Sequence, residues 1–410
     1  MFRAWTFTEM PYPYLPPEDT YTSLRVDFPS SVYDPELGYQ LYKKYFDIYV
    51  AADELGLDIM LNEHHATATC VAPAVPLAMA ALARQTKNAR LLALGNPLAN
   101  RNTPVRIAEE MAVIDVMSQG RAEVGFVRGV PYEISAGNVS PVDMKERFWE
   151  SADLILKAWT THDGPFNWEG RHYQHRQVNI WPRVYQEPHP PVWIPTQSTG
   201  TVVETAERQF NLGTILSGTQ GASKMFDTYR RQSAQQGVER TDREKLGYVG
   251  LVYVGETDKH GFAGARRLQW YLQNNKVATQ FMDIPGYVDA KVRAQMLKGQ
   301  AHGRPITSPI EHLAYAPIEQ LTQEGFFFAG SPETVFQQMK SFYAQVGGFG
   351  NFIMMVQTGT MGFEMVERSM SLFAHEVLPR FREEVYAMDD CSPAAATNTA
   401  MVPHAQAVPA

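Results

Sequence analysis

The chain has 410 residues, of which 44% are hydrophobic and 20% charged, and its formal net charge is −8. That length buries a sizeable core as one large domain or two ordinary ones, and the composition excludes a disordered chain. No dense Lys/Arg stripe is present, which argues against a nucleic-acid backbone as partner. The two cysteines, Cys70 and Cys391, exclude a disulfide framework and a Cys-rich zinc site and suit a reducing cytoplasm.

From the N-terminus, residues 1–8 lack the basic start, apolar stretch and small-residue cleavage site of a signal peptide. No run approaches the roughly 18 apolar residues that would suggest a membrane span. Strand-type runs are expected at residues 2–7, 57–61, 91–94, 122–127, 192–195, 214–216, 248–254 and 352–356. Helical spacing lies between them: Leu41, Tyr45, Tyr49 and Ala52 share one stripe, as do Phe148, Ala152, Ile155 and Trp159. Apolar strands alternating with helices predict a parallel sheet covered on its outer face, and eight such units point to an α/β fold, the (β/α)8 TIM barrel.

The barrel domain is expected over residues 1–387. Its long loops are residues 9–36, 129–147 and 161–190, with the largest insertion, about 270–328, expected as a lid. The segment 388–410, with its Ala run and scattered Pro, is expected to be a disordered tail. Ser118-Gln119-Gly120-Arg121 reads as a helix ending in a left-handed cap. Gly330-Ser331-Pro332-Glu333 reads as an N-cap serine with proline in the first turn; such a terminus either only caps or also binds phosphate.

The triplet Glu63-His64-His65 closes the apolar run 57–62. Two imidazoles behind a carboxylate are costly at the end of a buried strand for packing alone, and strand ends are where barrels build their sites. A solvated turn with satisfied side chains is the competing reading. No metal is expected, because adjacent histidines lack the H-E-x-x-H spacing and no further ligand set accompanies them.

Several blocks in order make the chain resemble the bacterial luciferase-like flavin monooxygenase family. They are Asn62-Glu63-His64-His65, Thr103 to Glu110, Asp115 to Arg121, Val124-Gly125-Phe126-Val127-Arg128-Gly129, Gln197-Ser198-Thr199-Gly200-Thr201, Gly330 to Val335 and Met370 to Pro379. The likeness covers roughly residues 1–383 and implies the TIM-barrel fold. It implies His64 as the proton-handling group beside the flavin, with Glu63 and His65 orienting it or shaping the pocket. Arg128 and the loop Gln197, Ser198, Thr199, Gly200 and Thr201 would bind the flavin phosphate. Gly95-Asn96 matches the place of a non-prolyl cis peptide beneath the ring, with Asn96 facing it. Val127 stands where luciferase has a cysteine, and Gln197 where it has a glutamate. The resemblance thus supports flavin oxygen chemistry and not light emission.

The activity implied is a two-component monooxygenase using reduced FMN and molecular oxygen, through a peroxyflavin, on a small, largely apolar organic molecule. A separate NAD(P)H-dependent flavin reductase is the expected partner, since no strand–G-x-G-x-x-G–helix unit is evident. A homodimer or a dimer with a homologous subunit is implied as well. Two alternatives stay open: a deazaflavin-dependent oxidoreductase of the same superfamily, and a non-catalytic barrel subunit supporting a homologous partner.

Overall fold

The computed structural model describes residues 1–390 except 239–240, 276, 283, 289, 292, 295–297, 299–308 and 360. Its strands are β1 (Arg3–Thr8), β2 (Asp58–Leu61), β3 (Leu91–Pro97), β4 (Ala122–Val127), β5 (Phe166–Glu169), β6 (Gln174–Val178), β7 (Val192–Pro195), β8 (Asn211–Ile215), β9 (Leu246–Val254), β10 (Phe327–Gly330) and β11 (Asn351–Gln357). Eight of them close a parallel ring in the order β1-β2-β3-β4-β7-β8-β9-β11 and back to β1. These eight are the strands expected from the sequence, and the fold is the (β/α)8 barrel.

Three strands lie outside that expectation. The hairpin β5–β6 pairs antiparallel within the 161–190 insertion and is mostly exposed or half-buried, so it has no apolar run to betray it. Its turn is tied to the barrel by Glu150, whose carboxylate accepts hydrogen bonds from His172 N, Tyr173 N and Trp168 Nε1. β10, only four residues long, pairs with the outer half of β9 (Phe327 opposite Leu251, Gly330 opposite Val254), while the inner half of β9 pairs with β8. One nine-residue strand therefore serves two neighbours along one edge.

The helices follow from simple rules. Asp34 caps helix Pro35–Glu54 by accepting from Glu36 N and Leu37 N, and its expected stripe Leu41, Tyr45, Tyr49 and Ala52 is buried. In helix Met144–Thr160 the stripe Phe148, Ala152, Ile155 and Trp159 is buried too. Helix Pro104–Met117 ends with Gln119 and Gly120 both at positive φ, after which Arg121 donates to the carbonyls of Ala83, Thr86 and Ala89. Ser331 caps helix Pro332–Gln345 by accepting from Thr334 N. Inside the barrel Trp5 and Trp193 meet edge to face at 6.2 Å, and Trp5 Nε1 donates to Asn351 Oδ1. Each such fully buried aromatic contributes about 1.5–3 kcal/mol to stability. The segment expected as a disordered tail starts inside the short helix Ala387–Asp390, and residues 391–410 lie outside the described ones. Among the described residues, no helix is long and apolar enough to cross a membrane.

Candidate active site

Parallel strands aim all their C-terminal ends at one face, so the residues that follow them converge there. In this barrel they enclose a cavity of roughly 440 Å³. Its apolar layer is Phe7, Met60, Leu94, Phe126, Ile194 and Val249, each from a different strand of the ring. Two polar groups of residues stand above that layer.

The first group combines cations with hydroxyls. Arg128 follows β4, and no carboxylate pairs with it among the described residues; its guanidinium carbon lies 4.5 Å from the ring centroid of Tyr287. Lys145 joins it, held by Glu204 at 3.0 Å. Ser198 precedes helix Thr199–Glu207, and Ser198, Gly200 and Thr201 line the cavity. No side chain caps that helix, so amides of its first turn are available to an anion.

The second group is a set of acids around His64. Glu63 and Glu133 are buried. The carboxylate of Glu133 meets His64 Nδ1 at 3.0 Å and accepts from His65 N at 2.9 Å. Burial alone would raise the Glu133 pKa, but the hydrogen bond and charge of His64 outweigh it and hold the group below its ordinary range. Glu63 accepts from Arg101 Nη2 at 2.5 Å, meets His65 Nε2 at 3.0 Å and accepts from Val75 N at the start of helix Val75–Gln85. Its hydrogen bond raises the His65 pKa. Glu9, just past β1, accepts from Asn62 Nδ2 at 2.8 Å and from Tyr271 OH at 2.9 Å.

Of the residues expected from the sequence, Glu63, His64, Gly95, Val127, Arg128, Ser198, Gly200 and Thr201 do line the cavity. Four do not. His65 alternates to the other side of the chain and faces an outer groove with Arg101, between helices Val75–Gln85 and Pro104–Met117. Asn96 is fully buried; its Nδ2 donates to Gly125 O at 3.2 Å, which ties β3 to β4 where their pairing slips. Gln197 is exposed and its amide donates to Ile215 O. Thr199 opens its helix beside the cavity without lining it. The non-prolyl cis peptide is Leu94–Gly95, one bond earlier than expected. A Cβ on Gly95 would stand 2.8 Å from Gly125 O and 3.0 Å from Val127 Cγ1, so only glycine fits there. Cys70 lies off the cavity, and burial pushes its thiol up to about 12, which leaves no reactive thiolate.

Sequence reasoning missed Glu9, Glu133, Lys145 and Tyr287 as cavity residues. Tyr287 is the described part of the 270–328 insertion that reaches the cavity, and its OH donates to Gly129 O at 3.0 Å; residues 299–308 of the expected lid lie outside the described ones. A Tyr132-Glu133 pair on a short helix opened by Pro131, one turn after Arg128, was the available signal for Glu133. Among the described residues, no group of three or more His, Cys, Asp or Glu could hold a metal ion.

A closed parallel barrel with its polar groups gathered at the C-terminal strand ends defines a TIM-barrel enzyme. The chain belongs to the luciferase-like monooxygenase family, whose model it matches over residues 28–348, and it is an oxidoreductase of that class. It is 24% identical over 366 residues to the oxygenase component of flavin-dependent trigonelline monooxygenase from Acinetobacter baylyi, covering 86% of this chain and 93% of that one. Its fold matches the oxygenating constituent of 3,6-diketocamphane monooxygenase of Pseudomonas putida, solved with FMN (TM-score 0.67, 21% identity, 93% of this chain and 98% of that one). It also matches the coenzyme F420-dependent tetrahydromethanopterin reductase of Methanopyrus kandleri (TM-score 0.60, 15% identity, 83% and 95%). Fold alone therefore does not choose between the two cofactors.

Proposed function

We propose that this protein is the oxygenase component of a two-component system. It takes reduced FMN from a separate NAD(P)H-dependent flavin reductase and uses molecular oxygen to oxygenate a small, largely apolar organic molecule. The observation that carries the reading is how a single cavity divides its polar groups: Arg128, with no carboxylate partner among the described residues, stands with Lys145 and an uncapped helix start in one group, His64 among acids forms the other, and both stand above an apolar layer.

The donor set fits a phosphate monoester. Arg128 and Lys145 would supply charge, and Ser198, Thr201 and the first-turn amides would supply hydrogen bonds. Reduced FMN, when bound, supplies the electrons for oxygen activation. The chain's own part is to exclude water with the Phe7, Met60 and Phe126 layer, to position the substrate, and to hold or move a proton at His64. The relative named as an oxygenase component supports the separate reductase.

The deciding experiment is anaerobic titration of the purified chain with reduced FMN and, separately, reduced F420, followed by oxygen. Binding of reduced FMN and its consumption of oxygen are expected. Stable binding of only the deazaflavin would overturn the reading, and a chain that binds no flavin until a second polypeptide is added would favour the non-catalytic subunit.

For assembly, the reading is a homodimer or a dimer with a homologous subunit in the cytoplasm. Leu77, Val113 and Trp181 are exposed around one groove, which makes that face the candidate interface. Sedimentation of the wild type and of Val113→Glu tests it.

A further inference from the structure

The acid that governs His64 is not its neighbour in sequence. Glu63 spends one oxygen on Arg101 and His65 and turns the other toward Val75 N. Glu133 instead approaches His64 Nδ1 at 3.0 Å while also accepting from His65 N, so one carboxylate holds both the ring and the backbone beside it. Tyr132 stands behind, its hydroxyl 3.4 Å from the same Nδ1. That hydroxyl accepts from buried Arg25, which is itself fixed by two hydrogen bonds to Asn275 Oδ1, at 2.9 and 2.6 Å. Among the described residues His64 Nε2 has no hydrogen-bond partner, and the ring lines the cavity.

We propose that Glu133 is a positioning residue that fixes His64, whenever the ring is neutral, in the tautomer protonated at Nδ1, so that Nε2 is then presented as a bare base. The two ring nitrogens of a neutral imidazole divide the roles of donor and acceptor, and a carboxylate can only accept. A lone pair on Nδ1 facing Glu133 at 3.0 Å would be repulsive, whereas an N–H there makes a charge-assisted bond. The competing arrangement, Tyr132 donating to a bare Nδ1, relies on the longer contact and leaves Glu133 repelled. When Nε2 accepts a proton from a bound molecule, the imidazolium keeps its Nδ1–H bond to Glu133, and the proton can leave again from Nε2. His64 is thereby a base first and an acid only after it has been loaded.

That proton task rests on the flavin reading; the tautomer does not. The test uses the flavin-free full chain labelled with 15N-histidine, with the His64 signals assigned by His64→Gln. Under conditions where the ring is neutral, the wild type should show Nδ1 protonated and Nε2 bare. Glu133→Ala should lose that signature in favour of the Nε2–H form, and Glu133→Gln, whose amide oxygen can still accept, should restore it. A wild-type ring protonated at Nε2, or a signature unmoved by Glu133→Ala in a folded variant, would overturn the proposal. If Glu133→Ala does not fold, the wild-type spectrum decides alone. Failure to bind FMN, measured separately, would sink the flavin reading and leave this result standing.

Discussion

The guanidinium of Arg128 lies over the ring of Tyr287, 4.5 Å from its centroid, while the hydroxyl of that same tyrosine donates to Gly129 O at 3.0 Å. The 270–328 insertion thus holds the one cation of the cavity that lacks a carboxylate partner among the described residues. An arginine braced on an aromatic face keeps its fork of donors free for an anion.

Arg128→Ala should therefore weaken FMN binding about 10- to 100-fold, the range of a charge-assisted hydrogen-bond pair. Riboflavin, which lacks the phosphate, should lose far less. Fluorescence titration of both ligands checks this; equal losses would remove Arg128 from the phosphate site.

His64→Ala should leave FMN binding intact and lower product formation by about 100-fold or more, as expected for loss of a general base. Reducing equivalents should then appear as hydrogen peroxide. Stopped-flow absorbance with a peroxide assay reads both, and an unchanged product yield would take His64 out of the mechanism.

Glu63 is a buried carboxylate shared by Arg101 and His65. Glu63→Ala removes the acceptor of Arg101, His65 and a helix N-terminus, and because both cations can still reach solvent it should cost about 1–3 kcal/mol in urea unfolding. A loss below about 1 kcal/mol, the size of an exposed pair, would show that solvent reaches the site more freely than its burial implies.

His65 has its pKa raised above 6.5 by the Glu63 hydrogen bond. A raised folded value means that the bond stabilises fully below pH 6.5 and fades as pH climbs through the folded pKa. The stability difference between wild type and His65→Asn should thus shrink with rising pH across that window. A gap that widens instead would contradict the assignment.

Gly95→Ala would press a methyl group against Gly125 O and Val127 Cγ1. Because the first of these is backbone, β3 and β4 must separate, at a cost of about 1–3 kcal/mol. Thermal unfolding measures the loss, and FMN affinity should fall with it, since Gly95 and Val127 both face the cavity.

Much of this protein is legible in one dimension. All eight ring strands are apolar runs that alternate with helical stripes, and burial is a property that residue types carry with them. The positions of His64, Arg128 and Ser198 follow from the same pattern, because a parallel barrel sends every strand end to one face. The hairpin β5–β6 escaped because it is largely exposed and carries no apolar run, and β10 because its four buried residues begin inside the stretch read as the 270–328 insertion.

The partners inside the site were a different matter. By adjacency Glu63 and His65 are the expected groups to orient His64 or shape its pocket, yet His65 turns outward to Arg101's groove and Glu63, though it lines the cavity, is occupied with its own pairs. Glu133, 69 residues along the chain, takes the position beside His64. The sequence by itself determined which strand ends reach the mouth of the barrel, and with them His64, Arg128 and Ser198, since that depends on strand spacing. Only the tertiary structure decided which of them touch, because a hydrogen bond is set by where distant loops meet within about 3 Å, and no spacing along the chain encodes that distance.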